Sequence, residues 1–533
     1  MTTRALPVLE LAPPAASARP GPAVEERVAE FRPVTPALPS FFVWTLGCQM
    51  NRSDSEEMTG RLLAAGCAAS ASMDAAELIV INTCAIREAA EQKVIGRQGQ
   101  LARLKSANPA LRVVLTGCAV RERDRAGLRR RFPAVDLFLR PDEEPELVDR
   151  LGLASAQGAI GLATAATTIV GRTTVSDAMQ LGASRAAAVA AGQVARGSTS
   201  SAWLPIVYGC DKTCTYCIVP FSRGPERSRP FDDILDEARS LAASGRREVT
   251  LLGQNVNSYG HDLATEARFG HIDPRRWAGR QLDLHGRPDL AELIRAIDGL
   301  RTSDGSPAIP RLRFVTSHPW DLSDRLIRAM AECPSVCEHL HLPVQSGDDR
   351  VLRRMGRQYS IAHYLERVAA IRAAIPGISI TTDVIVGFCG ESDAAFEATL
   401  RLLETVRYDQ VFAAAYSERP GTPAARLPDD VPPATKRRRL NELLAVQERI
   451  GLERNLGWVG SRVEVLVDTL TPPRTHDHDG ETVVPTTAGM VAASGRSRQN
   501  KLVHLEAPES LVGSIVQVTV EAAGPYSLRG RLA

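Results

Sequence analysis

Two stretches of this 533-residue chain alternate short apolar runs with amphipathic segments, and that rhythm leaves few folds open. In the first, FFVWTLG (Phe41 to Gly47), LIVINT (Leu78 to Thr83) and RVVLTG (Arg112 to Gly117) are separated by helical patterns such as SDSEEMTGRLLAAG and EAAEQKVIGRQGQLARL. Unbroken apolar runs of this length read as strands buried on both faces, the habit of parallel sheets covered by helices. In the second stretch the runs are WLPIVYG, EVTLLGQ, RLRFVTS, EHLHLPVQS, ISITTDVIVGF and QVFAAAYS, separated by patterns such as DDILDEARSLAA, DLAELIRAIDG and SDAAFEATLRLLETV. Six strands with helical crossovers predict a parallel barrel or part of one. Further on the period changes to two. Val463, Val465 and Val467 share one face, as do Val516, Val518 and Val520, so a small antiparallel β-barrel is expected at the end.

The cysteines fall at chosen places in this frame. Ten in the whole chain are too few for a disulfide scaffold and point to a reducing compartment, with some thiols serving as metal ligands. Cys48, Cys84 and Cys118 each come directly after an apolar run. The carboxyl ends of strands in an open parallel sheet share one edge, so these three are expected to converge on a shared metal site. The competing reading is three buried core cysteines, which is how Cys67 reads. Cys210, Cys214 and Cys217 form a C-x3-C-x2-C loop after the first barrel strand, with no fourth ligand close behind. A structural zinc site needs four ligands. Three thiolates can hold three irons of a four-iron cluster and leave the fourth open to a small molecule. The competing reading borrows Cys333 or Cys337 for a zinc knuckle, far along the chain.

A formal charge of +2 gives no bulk attraction to nucleic acid, so any such binding must be local. Basic residues gather in GRSRQNK (Arg496, Arg498, Lys501) and LRGRL (Arg529, Arg531) of the terminal barrel, with Asn500 and Tyr526 as base contacts if the barrel binds RNA. Solvated loops of a structural barrel fit the same residues. KRRR at Lys436 to Arg439 reads as a solvated helix face and HDHD at His476 to Asp479 as a loop. No run of about eighteen apolar residues exists, so no membrane span is expected and a cytoplasmic location is. Residues 1–39 read as a disordered tail and 156–200 as a linker, which leaves domains at 40–155, 201–455 and 456–533.

A C-x3-C-x2-C loop after the first strand of such a barrel resembles the signature of radical S-adenosylmethionine enzymes. That resemblance implies a [4Fe-4S] cluster on Cys210, Cys214 and Cys217 whose open iron binds S-adenosylmethionine and cleaves it to a 5′-deoxyadenosyl radical. LLGQNVNSYG and TDVIVGFCGES resemble segments that cradle the cofactor, which implies contacts from Tyr216, Gln254, Asn255 and Asp383. GRSRQNKLVHL with GSIVQVTVEAAGPYSLRGRL looks like a TRAM domain, an RNA-binding barrel. From about Phe41 the chain resembles the methylthiotransferases, in which a second [4Fe-4S] cluster would be held by Cys48, Cys84 and Cys118. NTCAIREAAEQKV, CTYCIVPFSRGPERSRP and HLHLPVQSG are similar to the branch acting on N6-isopentenyladenosine beside the anticodon (position 37) of tRNA. The implied reaction places a methylthio group on carbon 2 of that base, with one S-adenosylmethionine as methyl donor and another as radical source. The implied partners are that tRNA, an electron donor such as flavodoxin or ferredoxin, and a sulfur donor. Arg223, Arg227, Arg229, Arg496, Arg498, Asn500, Lys501 and Arg529 are the expected RNA contacts. The sibling enzymes for threonylcarbamoyl-adenosine tRNA or a ribosomal protein aspartate share both triads, and a non-catalytic iron-sulfur RNA-binding protein would need neither open site. Cys389 stands where relatives carry proline, and residues 259–288 form an unusual insertion.

Overall fold

The computed structural model describes residues 38–84, 88–121, 125–153, 193–266, 268–269, 275–277, 280–282, 286–470 and 489–533, together with 185 and 189. Residues 1–37 of the expected tail, most of the 156–200 linker, part of the 259–288 insertion and the HDHD segment lie outside them.

The first sheet is parallel throughout. Its strands are β1 (Ser40–Leu46), β2 (Ala68–Ala69), β3 (Leu78–Thr83), β4 (Arg112–Thr116) and β5 (Leu137–Phe138), in the order β2-β1-β3-β4-β5. Every residue of β3 is buried, and its side chains divide by parity. Ile79 and Ile81 pack with Val94 of α2 (Glu88–Gly96), Leu101 of α3 (Gln98–Ala107) and Leu128 of α4 (Arg125–Arg131). Leu78 and Val80 pack with Met58 and Leu62 of α1 (Gln49–Ala64) and with Leu147. Two covered faces are why the run has no polar alternation. β2 and β5 were not expected from the sequence. Each is a two-residue edge pairing, too short to leave a pattern.

The second unit has two parallel halves. β6 (Ser201–Pro205), β7 (Glu248–Leu252) and β8 (Arg311–Phe314) run in the order β8-β7-β6, and β9 (His339–His341), β10 (Ser379–Val386) and β11 (Gln410–Ala415) follow in order. A parallel bridge between Leu312 and Val336 joins them, with the amide of Leu312 donating to Ser335 and that of Cys337 donating to Leu312. All six expected strands are present and make an open barrel, one strand edge at β6 and the other at β11. Helices α5 (Phe231–Ala243), α6 (Leu290–Asp298), α7 (Asp324–Glu332), α8 (Ile361–Ala374) and α9 (Asp393–Val406) wrap it. In α6, Leu290, Leu293, Ile294 and Ile297 face inward at helical spacing, and Asp289 caps the start by accepting the Glu292 amide. Ser323, Ser360 and Ser392 cap α7, α8 and α9 in the same way.

Helix α10 (Pro433–Leu456) leads to the terminal barrel. The KRRR run lies on it, but only Arg437 and Arg438 face solvent. Lys436 pairs with Asp429 at 2.6 Å and Arg439 with Glu391 at 2.7 Å, so half of the expected solvated face is buried ion pairs. Strands β12 (Arg462–Leu470), β13 (Val491–Ser497), β14 (Leu502–Ala507), β15 (Ile515–Ala523) and β16 (Ser527–Leu532) close in the order β12-β13-β14-β16-β15. Val463, Val465, Val467, Val518 and Val520 fill the interior, as the period-two pattern requires.

Candidate active site

The strand-end cysteines do converge. Gly47 and Gly117, each just before a cysteine, permit the approach: a Cβ on Gly47 would stand 3.0 Å from the Cβ of Cys84, and one on Gly117 would stand 2.2 Å from the carbonyl oxygen of Thr83. Gly117 also has φ +93°, a backbone that favours glycine. Below them lies a buried polar knot. Asn51 Nδ2 donates to Asn82 Oδ1 at 2.8 Å, while Asn82 Nδ2 donates to the Asn51 carbonyl at 2.8 Å and to Ser55 Oγ at 3.0 Å. The Cys48 amide and thiol both lie 3.3 Å from Asn51 Oδ1, which ties the first ligand to the end of the neighbouring strand.

The loop cysteines are held from outside the loop. The amide of Thr215 donates to the Met355 carbonyl at 2.9 Å, its hydroxyl to the Arg354 carbonyl at 2.8 Å, and its own carbonyl accepts from Ala424 at 2.8 Å. Lys212 is buried against Asp321 at 2.7 Å. Gly209 starts the loop with φ +71°, and a Cβ there would stand 2.0 Å from the Pro225 carbonyl oxygen.

All six cysteines line one cavity of about 410 Å³. Two arginines reach its sulfurs. Arg223 Nε donates to Cys118 Sγ at 3.1 Å while its guanidinium pairs with Asp54 at 2.6 Å, and Arg357 donates to Cys214 Sγ at 3.3 Å and to the Pro343 carbonyl at 2.8 Å. Burial pushes the thiols of Cys118 and Cys217 up to about 12, with Arg223 and Arg357 respectively pulling the other way. Each therefore ionises readily only beside further positive charge, which is what iron supplies to a thiolate ligand. Among the described residues no three His, Cys, Asp or Glu side chains close on a single point as the ligands of one ion would. Two sets of three thiols lining one cavity supply the donors that two three-thiolate iron-sulfur clusters need.

The same cavity fits a polar cofactor. Gln254 Oε1, Asn255 Oδ1, Ser317 Oγ and Gln345 Oε1 line it, buried and without a hydrogen-bond partner among the described residues. Buried acceptors are costly unless paired, so these four suit a ligand that brings donors. Tyr216 and Asp383 line it too, so all four expected cofactor contacts are at the cavity. Sequence reasoning missed Ser317, Gln345, His341, Arg357 and Phe412. What marks them is visible only in the folded chain: Thr316 and Gln345 take positive φ beyond β8 and β9, and Phe412 of edge strand β11 is half-exposed and lines the cavity.

The expected RNA contacts divide sharply. Arg529 and Tyr526 are exposed, and Arg227 is half-buried. Arg223 is committed to Cys118 and Asp54. Arg229 is fully buried against Glu237 at 2.8 Å and the Pro205 carbonyl, Arg498 pairs with Glu338 at 2.9 Å, and Lys501 is buried against Asp409 at 2.7 Å. Arg496 is half-buried and donates to the Asn500 carbonyl. These cations satisfy the protein's own carboxylates, sulfur and carbonyls: Arg223, Arg229 and Lys501 are buried and so are corrected from RNA contacts to internal ones, while Arg498 is paired with Glu338 but partly exposed. Cys333 and Cys337 are buried in the barrel unit and do not line the cavity.

An open six-strand barrel carrying a three-cysteine loop at its mouth defines a radical S-adenosylmethionine enzyme, and residues 204–403 match the radical SAM superfamily. Residues 40–140 match a family described as uncharacterized protein family UPF0004. The chain is 40% identical to the tRNA-2-methylthio-N(6)-dimethylallyladenosine synthase of Acetivibrio thermocellus, over 92% of this chain and 90% of that one. It is 39% identical to the enzyme of the same name from Dictyoglomus thermophilum, over 93% and 99%, and 39% identical to that of Roseiflexus sp., over 96% and 93%. The chain belongs to this family of radical S-adenosylmethionine methylthiotransferases.

Proposed function

We propose that this chain places a methylthio group on carbon 2 of N6-isopentenyladenosine, at position 37 of tRNA. The observation that carries the reading is the meeting of both cysteine triads in one cavity. When bound, two [4Fe-4S] clusters and S-adenosylmethionine supply a transferable sulfur and the radical cleavage needed at a carbon whose hydrogen no ordinary base removes. Cys48, Cys84 and Cys118 hold one cluster and Cys210, Cys214 and Cys217 the other. Tyr216, Gln254, Asn255 and Asp383 meet the cofactor. Arg223 fixes Cys118, and Arg357 fixes Cys214. His318 and His339 are buried among cations and held neutral, well below the usual imidazole range, so neither adds positive charge to the cavity.

The domain division follows: 40–155 for the sulfur-bearing cluster, 201–455 for the radical core and 456–533 for the terminal barrel. No helix among the described residues is long and apolar enough to cross a membrane, and we place the reaction in the cytoplasm. The balance of the reaction also requires an electron donor of low potential, such as flavodoxin or ferredoxin, and a source of sulfur.

The test is nucleoside mass spectrometry of tRNA from cells lacking the gene, with and without a plasmid copy. The expected result is loss and recovery of the methylthio group on isopentenyladenosine. Loss from threonylcarbamoyl-adenosine, or from neither nucleoside, would overturn the assignment.

A further inference from the structure

The basic turn of the terminal barrel is half-buried against the radical barrel, with Ser497 and Lys501 buried. Residues 496–501, the end of β13 and the turn into β14, are built into the base of the radical barrel, at the amino ends of its strands. Arg311 and Arg313 of β8, themselves paired with Glu248 at the start of β7 at 3.0 and 2.9 Å, donate to the turn's carbonyls. Arg311 reaches Arg496 at 2.8 Å, and Arg313 reaches Arg498 at 2.9 Å and Ser497 at 2.6 Å. From the turn, Arg498 clamps Glu338 just before β9 and donates to the carbonyls of Pro334 and Val336. Lys501 holds Asp409, just before β11, and Asn455 of α10 at 2.8 Å. The turn thus bonds directly to the amino ends of three barrel strands, β8, β9 and β11, or the residues before them, and reaches β7 only through the Glu248 pairs of Arg311 and Arg313.

Its tip faces the cavity. Asn500 takes φ +62°, a left-handed conformation that asparagine tolerates, and lines the same cavity as the cysteines. Its Nδ2 is 3.5 Å from Nε2 of His339, which in turn is 3.2 Å from Thr381 Oγ1. A radical chamber must exclude water and stray hydrogen donors, and a barrel open at its base would not.

We infer that residues 496–501 of the terminal barrel form the floor of the radical cavity, with Asn500 as the positioning residue that faces it. The terminal barrel is then part of the reaction chamber and not only an RNA-binding appendage. This inference rests on the proposed function of that cavity.

Two variants of the full-length, cluster-loaded protein test it. Asn500→Gly keeps the left-handed backbone and the clamp but removes the side chain, and Arg498→Ala opens the clamp. For Asn500→Gly we expect unchanged melting temperature and tRNA affinity, but 5′-deoxyadenosine formed per methylthio product should rise about threefold or more through lost exclusion of competing reactions. For Arg498→Ala we expect faster amide hydrogen exchange in β8 and β9, with tRNA affinity and its salt slope unchanged. A wild-type product ratio in both variants would overturn the inference. So would a fall in tRNA affinity and salt slope without a change in that ratio, because the turn would then be an RNA contact. A wild-type protein that makes no methylthio product would instead overturn the functional reading beneath it.

Discussion

Cys210, Cys214 and Cys217 lie on one loop, whereas Cys48, Cys84 and Cys118 meet only when β1, β3 and β4 pair. Both triads line the same cavity, yet they depend on different physics. The loop triad is set by local backbone and by a few bonds from Met355, Arg354 and Ala424. The strand-end triad is set by sheet register, and metal bound there adds its free energy to the folding of the whole first domain. One triad is a motif and the other is a consequence of topology. Damage should therefore separate them.

The largest separation comes from the two glycines. Gly209→Ala drives a Cβ toward Pro225 in a loop with nothing to yield, so we expect loss of the radical cluster and no S-adenosylmethionine cleavage. Gly117→Ala drives one toward Thr83 and should empty only the strand-end site, leaving cleavage intact. Iron content reads this directly. Reconstituted wild type should hold about eight irons, and both Gly117→Ala and the triple replacement of Cys48, Cys84 and Cys118 by Ala about four. Unchanged iron in either would break the two-cluster comparison, and zinc in place of iron would end it.

A smaller effect is expected at the polar knot. Asn82→Ala leaves the side chain of Asn51 and the hydroxyl of Ser55 short of partners, which costs about 1–3 kcal/mol. The melting temperature should fall and iron in the strand-end site with it, while the loop site keeps its own. Equal loss from both sites would show that the sheet does not act on one triad alone.

The smallest effect concerns pH and the loop side. Burial alone would lower the pKa of His261, but Glu226 at 2.9 Å and Asp211 at 3.7 Å raise it to about 10. A pKa raised above the ordinary 6.5 stabilises the fold fully below about pH 6.5 and is lost as pH climbs toward 10. Urea midpoints measured across that window should fall more in the wild type than in His261→Gln. Parallel curves would show that this histidine does not bind in its charged form.

Much of this architecture was legible in the sequence because it is written in short windows. The nine principal parallel strands show as apolar runs, and the period-two faces of the terminal barrel show as alternating valines. The loop triad needs no fold to be seen. The strand-end triad could be inferred only by asking where parallel strands end. What stayed hidden is what depends on distant partners. Nothing near Arg498 or Lys501 reveals that Glu338 and Asp409 wait for them, so a basic turn looks like an RNA surface. Arg185, in a stretch that reads as linker, is buried between Glu57 of the first domain and Glu237 of the second, at 2.9 and 3.2 Å. Its Ala-rich neighbours carry no pattern that marks it.

The central claim is that two triads in one cavity do two separate jobs. It is tested most directly by single-turnover assays on Cys84→Ala and Cys214→Ala proteins, with isopentenyladenosine tRNA, S-adenosylmethionine and reductant. The account predicts that Cys84→Ala forms 5′-deoxyadenosine but no methylthio nucleoside, and that Cys214→Ala forms neither. Loss of the same step in both variants would contradict it.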